Sequence, residues 1–180
     1  EFQLTGYAPG LDPALFHEVI YRDLEWFSDF TPIENQEFVE QTDKRDREAD
    51  RIDYDEWQRL RANFLLKGEI EVAEGDQMTV DYRLFNVDLG SQSIGLRYRA
   101  IPIADARRLA HRISNDIIQA VFDDPGIADT QILFVSQRGA PGQKEVWIMD
   151  ADGHNQRPLT GDRSLAATPC WGKEGREIYY

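Results

Sequence analysis

Between Ala104 and Phe122 the sequence ADARRLAHRISNDIIQAVF puts apolar side chains at Ala106, Leu109, Ala110, Ile113, Ile117, Ala120 and Val121. That spacing draws one stripe along an α-helix. A helix with a single apolar stripe must cover another layer, so this stretch constrains everything around it. Arg107, Arg108, Arg112 and Asp116 fall off the stripe, on the side expected to face solvent. Asp105 sits in the first turn, where a carboxylate favours the helix dipole. Asp123-Asp124-Pro125-Gly126 ends the helix, because Pro lacks a backbone donor and Gly accepts a left-handed turn.

The strands that need this cover come just before it. Phe64 to Val72 is broadly apolar and then alternates. Ala73-Glu74-Gly75-Asp76 reads as a turn. Met78, Val80, Tyr82 and Leu84 then point one way while Thr79, Asp81 and Arg83 point the other, the pattern of a strand with one buried face. Asp88-Leu89-Gly90-Ser91 turns the chain again, and Ile94, Leu96, Tyr98 and Ala100 alternate once more. Further upstream, Asp12-Pro13 opens a helix carried by Phe16, Val19, Ile20, Leu24 and Phe27 and ending near Ser28. Phe30 to Ile33 reads as a short extended segment. Phe2 and Leu4 could begin a strand, broken by Gly6, Pro9 and Gly10. Glu34 to Glu56 is charged, and Gln41 to Asp50 has no apolar residue except Ala49, so the expectation is a solvated loop or frayed helix. Tyr54, Trp57 and Leu60 predict a short helix anchored by the indole. Residues 1–126 thus read as an α+β domain, a mixed or antiparallel sheet with helices on one face.

After Gly126 the pattern becomes all-β. Ile132 to Val135 and Val146 to Met149 are runs apolar on both faces, as in the middle of packed sheets. Gly139-Ala140-Pro141-Gly142 separates them. Asp152-Gly153 signals a hairpin turn. Arg157 to Thr160 fits a third strand, with Pro158 placing it at an edge, and Pro169-Cys170-Trp171 a fourth. After a turn at Gly172-Lys173-Glu174-Gly175, the Ile178-Tyr179-Tyr180 stretch echoes Ile132-Leu133-Phe134 at an offset of 46 residues. Four-stranded propeller blades repeat at roughly 40–50 residues. Residues 127–180 are therefore expected to be the first, truncated blade of a β-propeller. One blade cannot stand alone, so the chain reads as the front part of something longer, or as one covered by another chain.

Charge and composition narrow the function classes. The 180 residues carry a net charge of -13, which disfavours nucleic acid and anionic lipid and leaves a basic protein partner open. No apolar run approaches the roughly 18–20 residues of a membrane helix, and no signal peptide is visible. The one cysteine, Cys170, stands beside Trp171 and is expected to be a small buried apolar residue. Trp26, Trp57, Trp147 and Trp171 are expected in the core. There is no Gly-x-Ser-x-Gly elbow and no Gly-rich phosphate loop. His17, His111 and His154 form no two-ligand spacing and read as structural or surface residues. Asp150-Ala151-Asp152-Gly153-His154-Asn155 offers alternating oxygens, but its Gly is fourth where an EF-hand loop has it sixth, so it reads as a hairpin turn. No catalytic, cofactor-binding or metal-binding residue is assigned.

Several segments resemble the TolB family. Phe16 to Glu25 is similar to that family's first helix, with its Ile-x-x-Asp-Leu core at Ile20, Asp23 and Leu24. Arg107-Arg108-Leu109-Ala110-His111-Arg112-Ile113 resembles its Arg-Arg-apolar-Ala-His-basic-Ile helix, the most specific match. Pro125-Gly126 with Thr130-Gln131-Ile132 fits the entry to the propeller, and Met149 to Asn155 with Leu159-Thr160 fits the blade motif. Gly172 to Gly175 departs from the family's Ser-Pro-Asp-Gly, and Glu1 to Leu11 does not match the usual opening strand. The resemblance implies a periplasmic, non-catalytic scaffold of the Tol-Pal envelope system, without cofactor or membrane insertion. Such a scaffold supports outer-membrane integrity and cell division, and colicins exploit it for import. Its implied partners are the lipoprotein Pal, held mostly through later blades, and TolA, held by the N-terminal peptide. No partner-contact residue transfers to this sequence. Two rival readings are the propeller-bearing front of a prolyl-oligopeptidase-like serine peptidase and a stand-alone envelope adaptor.

Overall fold

A computed structural model of the chain describes residues 2–5, 11–27, 29–33, 36–49, 51–73, 75–138, 142–161 and 165–180. Gly6, Pro9, Gly10, Ser28, Glu34, Asp50, Glu74 and the Gly139 to Pro141 part of a predicted turn lie outside the described residues. The chain divides into two compact units, Glu1–Gly126 and Ile127–Tyr180.

The first unit holds β1 (Phe2–Thr5), α1 (Ala14–Trp26), α2 (Gln36–Ala49), α3 (Tyr54–Arg59), β2 (Phe64–Ala73), β3 (Gln77–Asn86), β4 (Ser91–Pro102) and α4 (Ala106–Phe122). The four strands form one sheet in the order β1-β2-β3-β4. β1 runs parallel to β2, and β2, β3 and β4 form an antiparallel meander. This is the expected α+β layer. Asp12 Oδ1 accepts the Ala14 N–H at 2.9 Å and starts α1. A 3-10 turn over Ile103–Asp105 leads into α4, which ends on Asp123 in the left-handed region at φ 58°.

The main core lies between α1, α4 and one face of the sheet. Phe16, Val19 and Ile20 from α1 meet Leu109, Ala110, Ile113 and Ile117 from α4 and Ile70, Met78, Val80 and Leu84 from the strands. Burying each large aliphatic side chain contributes about 1.5–3 kcal/mol. The predicted stripe on α4 holds except at its end, where Ala120 is exposed and Ile118 is buried instead. On β4 the simple alternation breaks. Ala100 adopts φ 55°, the register with β3 slips between Met78 and Val80, and Ile101 rather than Ala100 packs on the core. Leu96, on the outermost strand, remains 44% exposed.

A second, smaller core gathers Trp57, Ala62, Leu65 and Val87. Leu65 pairs with Phe85 while the adjacent Leu66 pairs with Leu84. Alternation therefore sends Leu65 and Phe85 to the opposite face. The helices expected on one face are α1 and α4; α2 and α3 add a short cover to one end of the other. Where a solvated loop or frayed helix was expected, Gln41 to Ala49 continues α2, and its Thr42, Asp43 and Asp46 are buried.

In the second unit β5 (Gln131–Ser136), β6 (Glu145–Asp150) and β7 (Arg157–Pro158) form an antiparallel sheet in that order. Pro158 sits on the edge strand, where its missing donor costs no ladder bond. β8 (Cys170–Trp171) and β9 (Ile178–Tyr179) exist as strands, but they pair with each other rather than extending the first sheet. The reason is local. A 3-10 turn over Lys173–Gly175, with Gly175 at φ 64°, folds the chain back within six residues. Cys170 is exposed on this small hairpin, not buried as expected. Trp171 is 40% and Trp26 64% exposed, Trp147 is half-buried, and only Trp57 is a deep core indole.

Candidate functional site

Three arrangements in the first unit carry polar or open character that a packed core does not require. The first joins α1 to α4. His111 and Ser114 stand three residues apart, on one face of α4. His111 Nδ1 lies 2.8 Å from Asp23 Oδ2, and Ser114 Oγ donates to the same oxygen at 2.8 Å. All three side chains are buried. Ser, His and Asp are the residue types of a nucleophilic triad, but the geometry is different. A triad needs a serine hydrogen-bonded to the histidine and open to substrate. Here both converge on the carboxylate, and Ser114 Oγ also reaches the Ala110 carbonyl at 3.2 Å. The group is a clasp between two helices. A neighbouring anchor ties α4 to the sheet: Tyr82 and Tyr98 both donate to Asp116 Oδ2, at 2.7 and 2.6 Å. Asp116 is thus half-buried against two strands, not a solvent-facing residue of the helix. Burial first, and the Asp116 carboxylate second, push the Tyr82 hydroxyl far above its usual range.

The second arrangement explains why α2 folds without an apolar stripe. Trp57 Nε1 donates to Asp46 Oδ2 at 2.7 Å, and the Asp53 N–H donates to Asp46 Oδ1 at 2.8 Å. Lys67 Nζ stands 3.0 Å from Asp43 Oδ1 and 3.5 Å from Asp46 Oδ2. The helix is therefore held by its acidic face. Charged groups this buried are tolerated only when paired and hydrogen-bonded.

The third is a cleft of about 480 Å³ at the C-terminal ends of α1 and α4, floored by Phe64 and Leu66 of β2. It continues into a second cleft of about 230 Å³ beside Trp57 and His17. The larger volume falls in the ~300–1,000 Å³ range of ligand-binding clefts.

The residues singled out from the sequence fall in different places. His111 is in the clasp, and His17 is exposed on α1 with its ring 6.0 Å from that of Tyr21. In the second unit the Asp150 to Asn155 segment is a turn. The Asp150 N–H donates to the His154 carbonyl at 2.9 Å, Gly153 adopts φ 85°, and the His154 N–H donates to Asp152 Oδ1 at 3.0 Å. The Asp152 carboxylate caps its own backbone, while that of Asp150 accepts from the side-chain amides of Asn155 and Gln131. Sequence reasoning missed the clasp, the acidic seat of α2 and the cleft. The signal for the clasp was present, since Asp23 and His111 each sit inside a motif that resembles the same family. No helix among the described residues is long and apolar enough to cross a membrane.

Comparison with known proteins gives consistent matches. Residues 6–93 match the model of the TolB amino-terminal domain. The Tol-Pal system protein TolB of Nitrosococcus oceani is 30% identical over 182 residues, covering 99% of this chain and 40% of the relative. That of Geobacter metallireducens is 37% identical over 127 residues, covering 71% of this chain and 29% of the relative. The crystal structure of TolB from Acinetobacter baumannii superposes with a TM-score of 0.75 at 20% identity, covering 98% of this chain and 42% of that one. That likeness extends the fold to an α+β unit followed by the first strands of a β-propeller. The chain spans about two fifths of the length of these full-coverage relatives.

Proposed function

The chain belongs to the TolB family of the Tol-Pal system, and from that premise we propose that it is the front part of a periplasmic scaffold that works by docking proteins rather than by catalysis. Its partners are Pal and TolA, and its roles are upkeep of the outer membrane and support of division, with colicin import as an exploited side use. One observation carries this reading. The two motifs that resemble the family most closely, Ile20 to Leu24 and Arg107 to Ile113, meet through the Asp23–His111 contact at 2.8 Å. They thus form one joint that braces α1 against α4. The geometry of that joint also favours docking over hydrolysis, because its serine is fully buried and donates to the Asp23 carboxylate instead of standing open to a substrate. The Pal contact is assigned to propeller blades beyond these residues, as the family resemblance implies.

The test is genetic. Deleting the gene in its native host should release periplasmic enzymes into the medium and sensitise cells to large antibiotics, and the intact gene should restore the barrier. An unchanged barrier would overturn the scaffold reading. So would labelling of the native product by a fluorophosphonate, a reagent specific for activated serines.

A further inference from the structure

The cleft at the ends of α1 and α4 has a chemistry that selects its occupant. Its walls are Tyr21 and Leu24 of α1, Val121 and Phe122 of α4, and Phe64 and Leu66 of β2. At its mouth the Phe30 and Phe122 rings meet edge to face, 5.2 Å between centroids, and Phe27 stands 5.3 Å from Phe122. Phe122 keeps 41% of its surface exposed. The surroundings of this apolar surface are negative. Asp29 lines the cleft, Glu25 follows Leu24, and Asp123 follows Phe122; all three are exposed. Both helices end here, and neither has a basic residue in its last turn. Helix C-termini carry about half a negative charge each. Arg61 is the one cation among the described residues that line it. The imbalance extends to the whole unit. Residues 1–126 hold 26 Asp and Glu against 14 Lys and Arg, a net charge of -12, while residues 127–180 hold 7 against 6.

We propose that this cleft docks a basic amphipathic segment of a partner protein, with two or three large apolar side chains seated between α1, α4 and β2 and Lys or Arg flanking them at Glu25, Asp29 and Asp123. Helix-in-groove recognition supplies the mode: apolar anchors fill the cleft, and charge sets orientation and partner choice. A fatty acid or other apolar anion fits the volume but meets the wrong charge. The proposal deepens the scaffold reading by naming a site and a class of partner, and it rests on that reading only for the statement that the occupant is a protein.

The experiment uses the full 180-residue chain. It is titrated with an 18-residue amphipathic peptide of Leu and Lys and with a matched peptide of Leu and Glu, and followed by NMR of side-chain methyl and aromatic signals. The Leu/Lys peptide should bind at least tenfold tighter and shift signals of Leu24, Val121 and Phe64. The variant Asp29→Lys/Asp123→Lys should weaken it about tenfold, and Phe122→Ala should weaken it severalfold. The charge-matched control Glu69→Lys/Glu71→Lys, on exposed residues of β2 that line neither cleft, should leave it within twofold. Equal binding of both peptides, or equal loss in the control, would overturn the proposal, since the attraction would then be general. Saturation of the cleft by anilinonaphthalene sulfonate with no response to the Leu/Lys peptide would also overturn it, in favour of a small-molecule cleft. Either failure leaves the genetic test of the scaffold reading untouched, so the two are separable.

Discussion

Asp23 ties α1 to α4 through a single carboxylate oxygen. Its Oδ2 serves His111 and Ser114 at once, across 88 and 91 positions of sequence. Periodicity flags apolar positions and is blind to such a contact, which is why α1 and α4 were legible as helices while their clasp was not. The same blindness put Asp116 in solvent, when two tyrosines on facing strands reach for it. It also put Cys170 in a core, because a short apolar stretch in sequence does not reveal that, among the described residues, its strand pairs with β9 alone. The clasp has a measurable worth. Replacing Asp23 by Ala leaves the buried His111 without its acceptor, while Ser114 keeps the Ala110 carbonyl. The expected loss in urea unfolding is about 2–4 kcal/mol. Asp23→Asn retains an oxygen acceptor and should lose roughly half as much. A loss below about 0.5 kcal/mol for the Ala variant would show that the contact does not brace the helices.

At the scale of elements, sheet and helix order followed the sequence well where apolar residues alternate or recur. α4 has one apolar face, β2 and β3 have one apart from Leu65 and Phe85, and each element was found close to its expected bounds. α2 shows where that logic ends. A helix can be buried through carboxylates when a lysine and an indole N–H wait on the other side, as Lys67 and Trp57 do. No binary pattern encodes this, because the partners lie on β2 and α3. Asp46→Ala removes the acceptor of both Trp57 Nε1 and the Asp53 N–H. It should cost about 2–3 kcal/mol. It should also change the Trp57 fluorescence before the main unfolding transition, because α2 and α3 lose their seat while the α1–α4 core stays intact. A single transition with unaltered Trp57 emission would contradict a separate role for this seat. The β8–β9 hairpin makes the complementary point: both strands and the turn at Gly172 to Gly175 were legible, but not that this turn would close the two strands on each other.

Over the whole chain, two units of different character follow one another: an acidic α+β layer and a nearly neutral set of antiparallel strands. The first presents an open apolar cleft between helix ends, and the second presents strands of the kind a propeller continues. The change of character is visible in the sequence because helical periodicity stops at Gly126 and only short apolar runs between turn signals follow. The proposed partners rest on family resemblance, since charge alone says no more than that a basic partner is favoured. A docking scaffold of the Tol-Pal system must hold its partners in the living cell. The most direct measurement is to cross-link living cells, recover the tagged native protein and quantify what comes with it by mass spectrometry. Enrichment of Pal and TolA at least tenfold over an untagged control is the predicted result. Recovery of neither, from cells in which both are abundant, would contradict it.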